Sequence, residues 1–337
     1  PLFATMSFDV VRTMLVRDAT GLRRRLWIRL VGLFSILLAS TLWQCSLDQR
    51  RNQAVSPPTI ADAAYVGSQT CLECHADHQQ NMESSLHGKI LLGSVARTDL
   101  QRHGCEACHG PGSRHQEDYS DPSAIITFGS GSPQPAVSQN AVCLQCHMKG
   151  RRLFWQGSAH EIRDVSCLSC HSVHNAQTRH ANLRAPSQFQ LCSQCHAIKA
   201  AMAFNWAHMP VREGKMQCAD CHNVHGSLTE SLIQENSVNE NCYRCHADRR
   251  GPFLYEHPPV RENCISCHVA HGSNNPRLLR IRPPRLCQQC HNEAGHPSTA
   301  FGLPGGLADR RMLGRSCLSC HINIHGSNHP SGFALTR

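Results

Sequence analysis

Twenty of the 21 cysteines in this 337-residue chain fall in ten copies of one pattern, Cys-x-x-Cys-His. The copies open with Cys71, Cys105, Cys143, Cys167, Cys192, Cys218, Cys242, Cys264, Cys287 and Cys317. Their second cysteines are Cys74, Cys108, Cys146, Cys170, Cys195, Cys221, Cys245, Cys267, Cys290 and Cys320. On a helical turn, residues i, i+3 and i+4 share a face. The pattern therefore offers two thiols and one imidazole to the same flat object. The thiols reach the two vinyl groups of a porphyrin while the imidazole points at its iron, which is the attachment chemistry of c-type haem. Zinc sites also use Cys-x-x-Cys pairs, as do redox dithiols, but neither needs a His after the second Cys in ten copies out of ten. The chain is read as carrying ten covalently bound haem c groups. The proximal iron ligands are then His75, His109, His147, His171, His196, His222, His246, His268, His291 and His321.

Fourteen of the 24 histidines remain, and ten of them follow a repeat. Each unit reads as a haem motif, a middle His, a second haem motif and a trailing His. The five dihaem units cover about 71–115, 143–174, 192–225, 242–271 and 287–325, with His87/His115, His160/His174, His208/His225, His257/His271 and His296/His325 as their spare imidazoles. Four histidines and two haems per unit suffice for two bis-His irons. The spacing does not say which His serves which iron, and crossing between units is open. An iron with both axial positions filled exchanges electrons and does not readily bind substrate. The eight methionines do not follow the repeat, so Met is disfavoured as sixth ligand. His78, His103, His180 and His329 are surplus and read as surface residues, with His103 the rival to His115.

The expected fold is mainly irregular, with short α-helices, little or no β structure, and haem in place of a side-chain core. Only 5% of residues are aromatic, too few for an ordinary interior in a chain of this length. Helices are expected at the motifs and near 71–92, 188–205 and 228–247. Ser, Pro, Gly and Gln mark 116–142 as a loop, and Leu-Pro-Gly-Gly marks 297–316 as another. Units that contact only their neighbours stack in a line, giving an elongated decahaem domain over 65–337. A row of ten haems would outspan the roughly 30 Å hydrocarbon core of a membrane.

Residues 1–45 read as a signal peptide or anchor, and 46–64 as a linker. Leu30 to Trp43 is an apolar or small-residue run behind Arg23, Arg24, Arg25 and Arg29, shorter than the roughly 20 residues of a spanning helix. Cys45 lacks the small residues that precede a lipidated Cys. The net charge of +9 includes +4 from residues 1–45. Two propionates per haem bring the remainder to neutral or acidic, and no Lys/Arg run interleaved with aromatics marks a nucleic-acid surface.

The sequence resembles the MtrA/DmsE family of decahaem cytochromes over most of 65–334. The resemblance is carried by all ten motifs and by His-Met-Pro-Val-Arg-Glu-Gly-Lys-Met (208–216), Asn-Cys-Tyr-Arg-Cys-His (241–246), Arg-Gly-Pro-Phe-Leu-Tyr-Glu-His (250–257) and His-Gly-Ser-Asn-His-Pro-Ser-Gly (325–332). It implies a periplasmic, outer-membrane-associated electron-transfer protein, not an enzyme, working with an outer-membrane β-barrel porin. The implied redox partners are a periplasmic or inner-membrane quinol-linked cytochrome on one side and an outer-surface multihaem cytochrome, metal mineral or terminal reductase on the other. The competing readings are a soluble periplasmic shuttle and a multihaem metal or nitrogen-oxide oxidoreductase. The chain has no porin-like alternating strands, and irregular backbone does not cross lipid unaided.

Overall fold

In the computed structural model every one of the ten motifs closes as a single helical turn. The N–H of each motif's His donates to the carbonyl of its first Cys, from His75 to Cys71 through to His321 to Cys317, at 2.9 to 3.1 Å. The described residues are 56–208, 211–291 and 315–336, all within one unit, Ser56–Arg337. Residues 1–55 with Cys45, His296, and most of the expected loop 297–316 lie outside them.

Within a unit the two motifs sit on different supports. The first is the last turn of a short helix, as in Ser68–Cys74, Ala136–Leu144, Gln188–Ser193 and Val238–Tyr243. Two of these helices start at a serine cap: Ser187 accepts the N–H of Gln190, and Ser237 that of Glu240. The second motif is a lone turn, as in Glu106–His109, Cys167–Ser169, Cys218–Cys221, Cys264–Ser266 and Cys317–Ser319. A polar side chain three residues before the first Cys joins the two. Ser68 accepts the N–H of Cys105, Asn140 that of Cys167 and Asn239 that of Cys264. Asn140 and Asn239 are buried, and their amides also donate to Val165 and to Val260 and Arg261. A buried amide satisfied at both ends locks the relative placement of two backbone segments.

Short helices and isolated bridges make up the regular structure, and no strand or sheet occurs among the described residues. Two expectations need adjustment. The expected loop 116–142 begins on the helix Ser113–Glu117 and is helical again from Ala136, where Pro135 precedes the helix. The expected helix near 228–247 is confined to Val238–Tyr243 plus two 3-10 turns, because Ser231 and Leu232 both adopt positive φ. The side-chain core is as thin as composition implied. Buried apolar residues are scattered, four of the ten are alanine, and no large side chain is fully enclosed among the described residues.

Neighbouring units grip one another. Trp206 and Ser273 exchange backbone hydrogen bonds, as do Tyr255 and Ser327. Asn223 donates to the Arg151 carbonyl, and Asn328 accepts from Leu254. The glycine after the trailing His allows this approach. A Cβ on Gly226 would lie 1.8 Å from the Phe154 carbonyl oxygen, and one on Gly272 would lie 2.1 Å from that of Met202. Both glycines also have positive φ, 121° and 135°, which side chains resist. Gly272→Ala is therefore expected to destabilise the haem-loaded protein by about 2 kcal/mol or more. A thermal melt with an unchanged midpoint would show that the two segments are not held in contact.

Candidate functional site

The helical turn aims each motif's ring away from the chain, and a second hydrogen bond sets its rotation in the second motif of every unit. The Nδ1 atoms of His109, His171, His222, His268 and His321 contact the carbonyls of Ile126, Ala181, Ser231, Arg277 and Ala334 at 2.6 to 2.9 Å. His160, a middle His, meets the Val224 carbonyl of the next unit in the same way at 2.8 Å. A carbonyl can only accept, so Nδ1 carries the proton and Nε2 is left with a lone pair for a metal. His208 differs, with Nδ1 2.9 Å from the Met216 sulfur.

Nine of the ten motif histidines face one of the spare histidines across a gap of nearly constant width. The ring centroids are 6.4 Å apart for His75–His115, 5.9 Å for His147–His87, 6.1 Å for His109–His174 and 6.2 Å for His196–His160. They are 6.0 Å apart for both His171–His225 and His246–His208, and 5.9 Å for His222–His271. They are 6.1 Å apart for His291–His257 and 6.2 Å for His268–His325. A metal–imidazole bond is about 2 Å, so one ion between two facing nitrogens separates the centroids by roughly 6 Å once the ring half-widths are added. The gap is too wide for ring contact and fits an iron atom with its porphyrin lying between the rings.

The partners follow a rule that the repeat did not reveal. Among the described pairs, His75–His115 alone lies inside one unit. The middle histidines His87, His160, His208 and His257 face the first motif of the following unit, and the trailing histidines His174, His225, His271 and His325 face the second motif of the preceding unit. The expected ligand His296 lies outside the described residues. Of the surplus histidines, His103 stacks on Tyr65 at 3.7 Å and does not compete with His115. His78 is not a remote surface residue: its ring is 6.0 Å from His75 and 4.8 Å from His174. Its position three residues beyond His75, on the same side of a helical chain, was the available signal.

The cysteines are neighbours in an order that repeats the sequence. Within each unit the two opening cysteines meet. Burial and then Cys105 push the Cys71 thiol up to about 11, and burial and then Cys317 push Cys287 up to about 11. The thiols of Cys143 and Cys167, Cys192 and Cys218, and Cys242 and Cys264 hydrogen-bond, raising the first of each pair and lowering the second. Between units the closing cysteines take over. Cys108 feels Cys143 and Cys146, Cys170 feels Cys195, Cys221 feels Cys245, and Cys267 feels Cys290. Every consecutive pair of motifs thus has sulfurs close enough to interact.

For several of the facing imidazoles, burial favours the neutral form that a metal ligand requires. It pushes His225 down to about 4 and lowers His87, His109, His174, His208 and His271. A structural zinc ion needs four converging ligands. Among the described residues no three His, Cys, Asp or Glu side chains are grouped to hold a metal ion, so the paired-imidazole geometry matches haem.

Known proteins match the chain over its repeated motifs. Residues 208–251 and 257–296 match the doubled CXXCH motif family, and residues 105–195 match the family described as cytochrome c-type protein NrfB-like. The multiheme cytochrome MtrA of Shewanella baltica is 41% identical over 304 residues, covering 88% of this chain and 89% of the relative. Cytochrome c-type protein NrfB of Escherichia coli O6:H1 is 31% identical over 146 residues, covering 42% of this chain and 72% of the relative. The C-type polyheme cytochrome OmcB of Geobacter sulfurreducens is 24% identical over 213 residues, which is 57% of this chain and 24% of that protein. With repeated c-type haem motifs, a fold of short helices without sheet, and this identity over nearly the whole of both sequences, the chain belongs to the MtrA family of multihaem cytochromes.

Proposed function

We propose that the chain holds ten haem c groups in single file and passes electrons along them between a periplasmic partner and a partner at or beyond the outer membrane. The observation that carries this reading is the run of paired imidazoles about 6 Å apart, each pair but His75–His115 linking neighbouring units. Each thioether pair fixes one porphyrin edge, so neighbouring sulfurs bring neighbouring edges together. Haem supplies one-electron exchange at an iron whose two axial positions are filled. The chain's own residues do the rest. His75/His115, His109/His174, His147/His87, His171/His225, His196/His160, His222/His271, His246/His208, His268/His325 and His291/His257 are the axial ligands, and His296 is left for His321.

Filled axial positions argue for a conduit over a reductase with an open iron. Among the described residues no helix is long and apolar enough to cross a membrane. Polar backbone bared between short helices needs a protein wall in lipid. The resemblance carried by the ten motifs and the 208–216 and 250–257 segments supports a β-barrel porin around or against the chain. An outer-surface multihaem cytochrome or terminal reductase then stands at one end and a quinol-linked periplasmic or inner-membrane cytochrome at the other. A free periplasmic shuttle would need no barrel, and reconstitution separates the two. Vesicles holding the purified chain with its co-purified barrel are expected to reduce an enclosed acceptor from external dithionite at least about tenfold faster than vesicles with the chain alone. Equal rates would leave the shuttle. Intact-mass analysis of the same sample should give ten haems.

The cross-unit ligand rule makes a sharper prediction. His257→Ala is expected to open the iron attached at Cys287 and Cys290, not an iron of its own unit. The ferric variant should gain one high-spin signal. That gain should vanish when C287S/C290S removes the haem in question and persist when C264S/C267S removes the neighbour. The opposite dependence would return the ligands to closed dihaem units.

A further inference from the structure

Three pairs of consecutive non-glycine residues adopt the left-handed backbone: Ala181–Asn182 (φ 64° and 49°), Ser231–Leu232 (57° and 57°) and Arg277–Leu278 (59° and 58°). Such residues are ordinarily single, and a pair in succession is strained. The three pairs occupy the same place in successive units, and in each the two carbonyls have the same two tasks. The first accepts from the ring of the second-motif His: Ala181 from His171, Ser231 from His222, Arg277 from His268. The second accepts from the backbone N–H just after that His: Asn182 from Ser172, Leu232 from Asn223, Leu278 from Val269, at 2.7 to 2.8 Å. Carbonyls alternate in direction along an extended strand, so two successive carbonyls aimed at one histidine need a helical turn. The left-handed form provides it and then returns the chain to the bridges His171↔Leu183, His222↔Ile233 and His268↔Leu279.

Among the second-motif histidines, ring orientation follows these pairs. His171, His222 and His268 lie at 11°, 9° and 17° to the rings they face. His109 is held by a carbonyl without a left-handed pair behind it, and its angle is 45°. The first-motif rings His147, His196 and His246 face their partners at 66°, 71° and 86°, while His75 and His291, at 14° and 22°, are near-parallel without a left-handed pair. We propose that the pairs Ala181–Asn182, Ser231–Leu232 and Arg277–Leu278 are positioning residues that give the haems of His171, His222 and His268 near-parallel imidazoles and a hydrogen-bonded Nδ1. From His147 to His268 these haems would alternate with those of His147, His196 and His246, whose ligand planes are crossed. The inference rests on the bis-His reading above. A hydrogen bond from Nδ1 makes the imidazole a stronger donor to iron and favours the ferric state. A haem held by a pinned imidazole is therefore harder to reduce than it would be without that bond.

Ser231→Val and Ser231→Gly test it in the haem-loaded protein. A β-branched residue resists positive φ, whereas glycine accepts it. S231V is expected to move one haem's share of the ferric EPR intensity from the near-parallel low-spin type to the strongly anisotropic crossed type. It should also shift one step of the redox titration by about tenfold toward the reduced form. S231G should leave both where they are and raise the melting midpoint. A purely structural turn would lower the S231V melting point without moving either signal, and that outcome overturns the proposal. If S231V does not mature, Ser231→Ala, which resists positive φ less strongly than valine, takes its place. It must move the same haem's signals in the same direction, and unchanged spectra there overturn the proposal equally. New high-spin iron in wild-type protein would count against the bis-His reading instead, so the two failures are distinguishable.

Discussion

Two imidazoles brought from different parts of the chain to a spacing of about 6 Å are the constraint on which the rest depends. The first is delivered by local structure, since the bond from the His N–H to the first Cys carbonyl makes each motif a rigid turn. The second comes from another unit in every observed pair but His75–His115. A facing pair of imidazoles therefore also brings two units together. This explains how a body with few buried apolar side chains holds a defined shape. Local hydrogen bonds and metal ligation replace the apolar burial that a domain of this length would otherwise need.

The interlock needs close backbone contact, and the residues around the ligands provide it. Gly226 and Gly272 follow trailing histidines and let the chain lie against the preceding unit's carbonyls at Phe154 and Met202. Asn140 and Asn239 fasten the two motifs of a unit at the backbone of Cys167 and Cys264. These contacts are polar and directional, which matters where no packed core corrects small errors in placement. Electron exchange between neighbouring haems depends on edge-to-edge separation, and the meeting of Cys143 with Cys167 and of Cys170 with Cys195 shows the chain holding successive attachment points together.

Much of the site was legible in residue order. The ten motifs state a chemical requirement at fixed spacing. The middle and trailing histidines recur so regularly that nine of the ten were found facing a motif His. The absence of sheet followed from the short intervals between motifs. Other features were hidden. His78 looked expendable once the ligands were counted, yet its ring lies against His174. The left-handed pairs have no composition signal, because Ala181, Leu232 and Arg277 are residue types that rarely favour positive φ. Ser231–Leu232 also ended a stretch that had read as helix.

Residue order by itself determined the c-type attachment motifs and their closure as helical turns, because each follows from side-chain type and from spacings within one or two helical turns. Tertiary structure alone decided which histidine faces which. The partners are separated by up to 65 residues, as for His109 and His174, and a repeat offers chemically identical imidazoles in every unit. Spacing cannot choose among identical groups. Only the fold does, by bringing the middle of one unit against the beginning of the next.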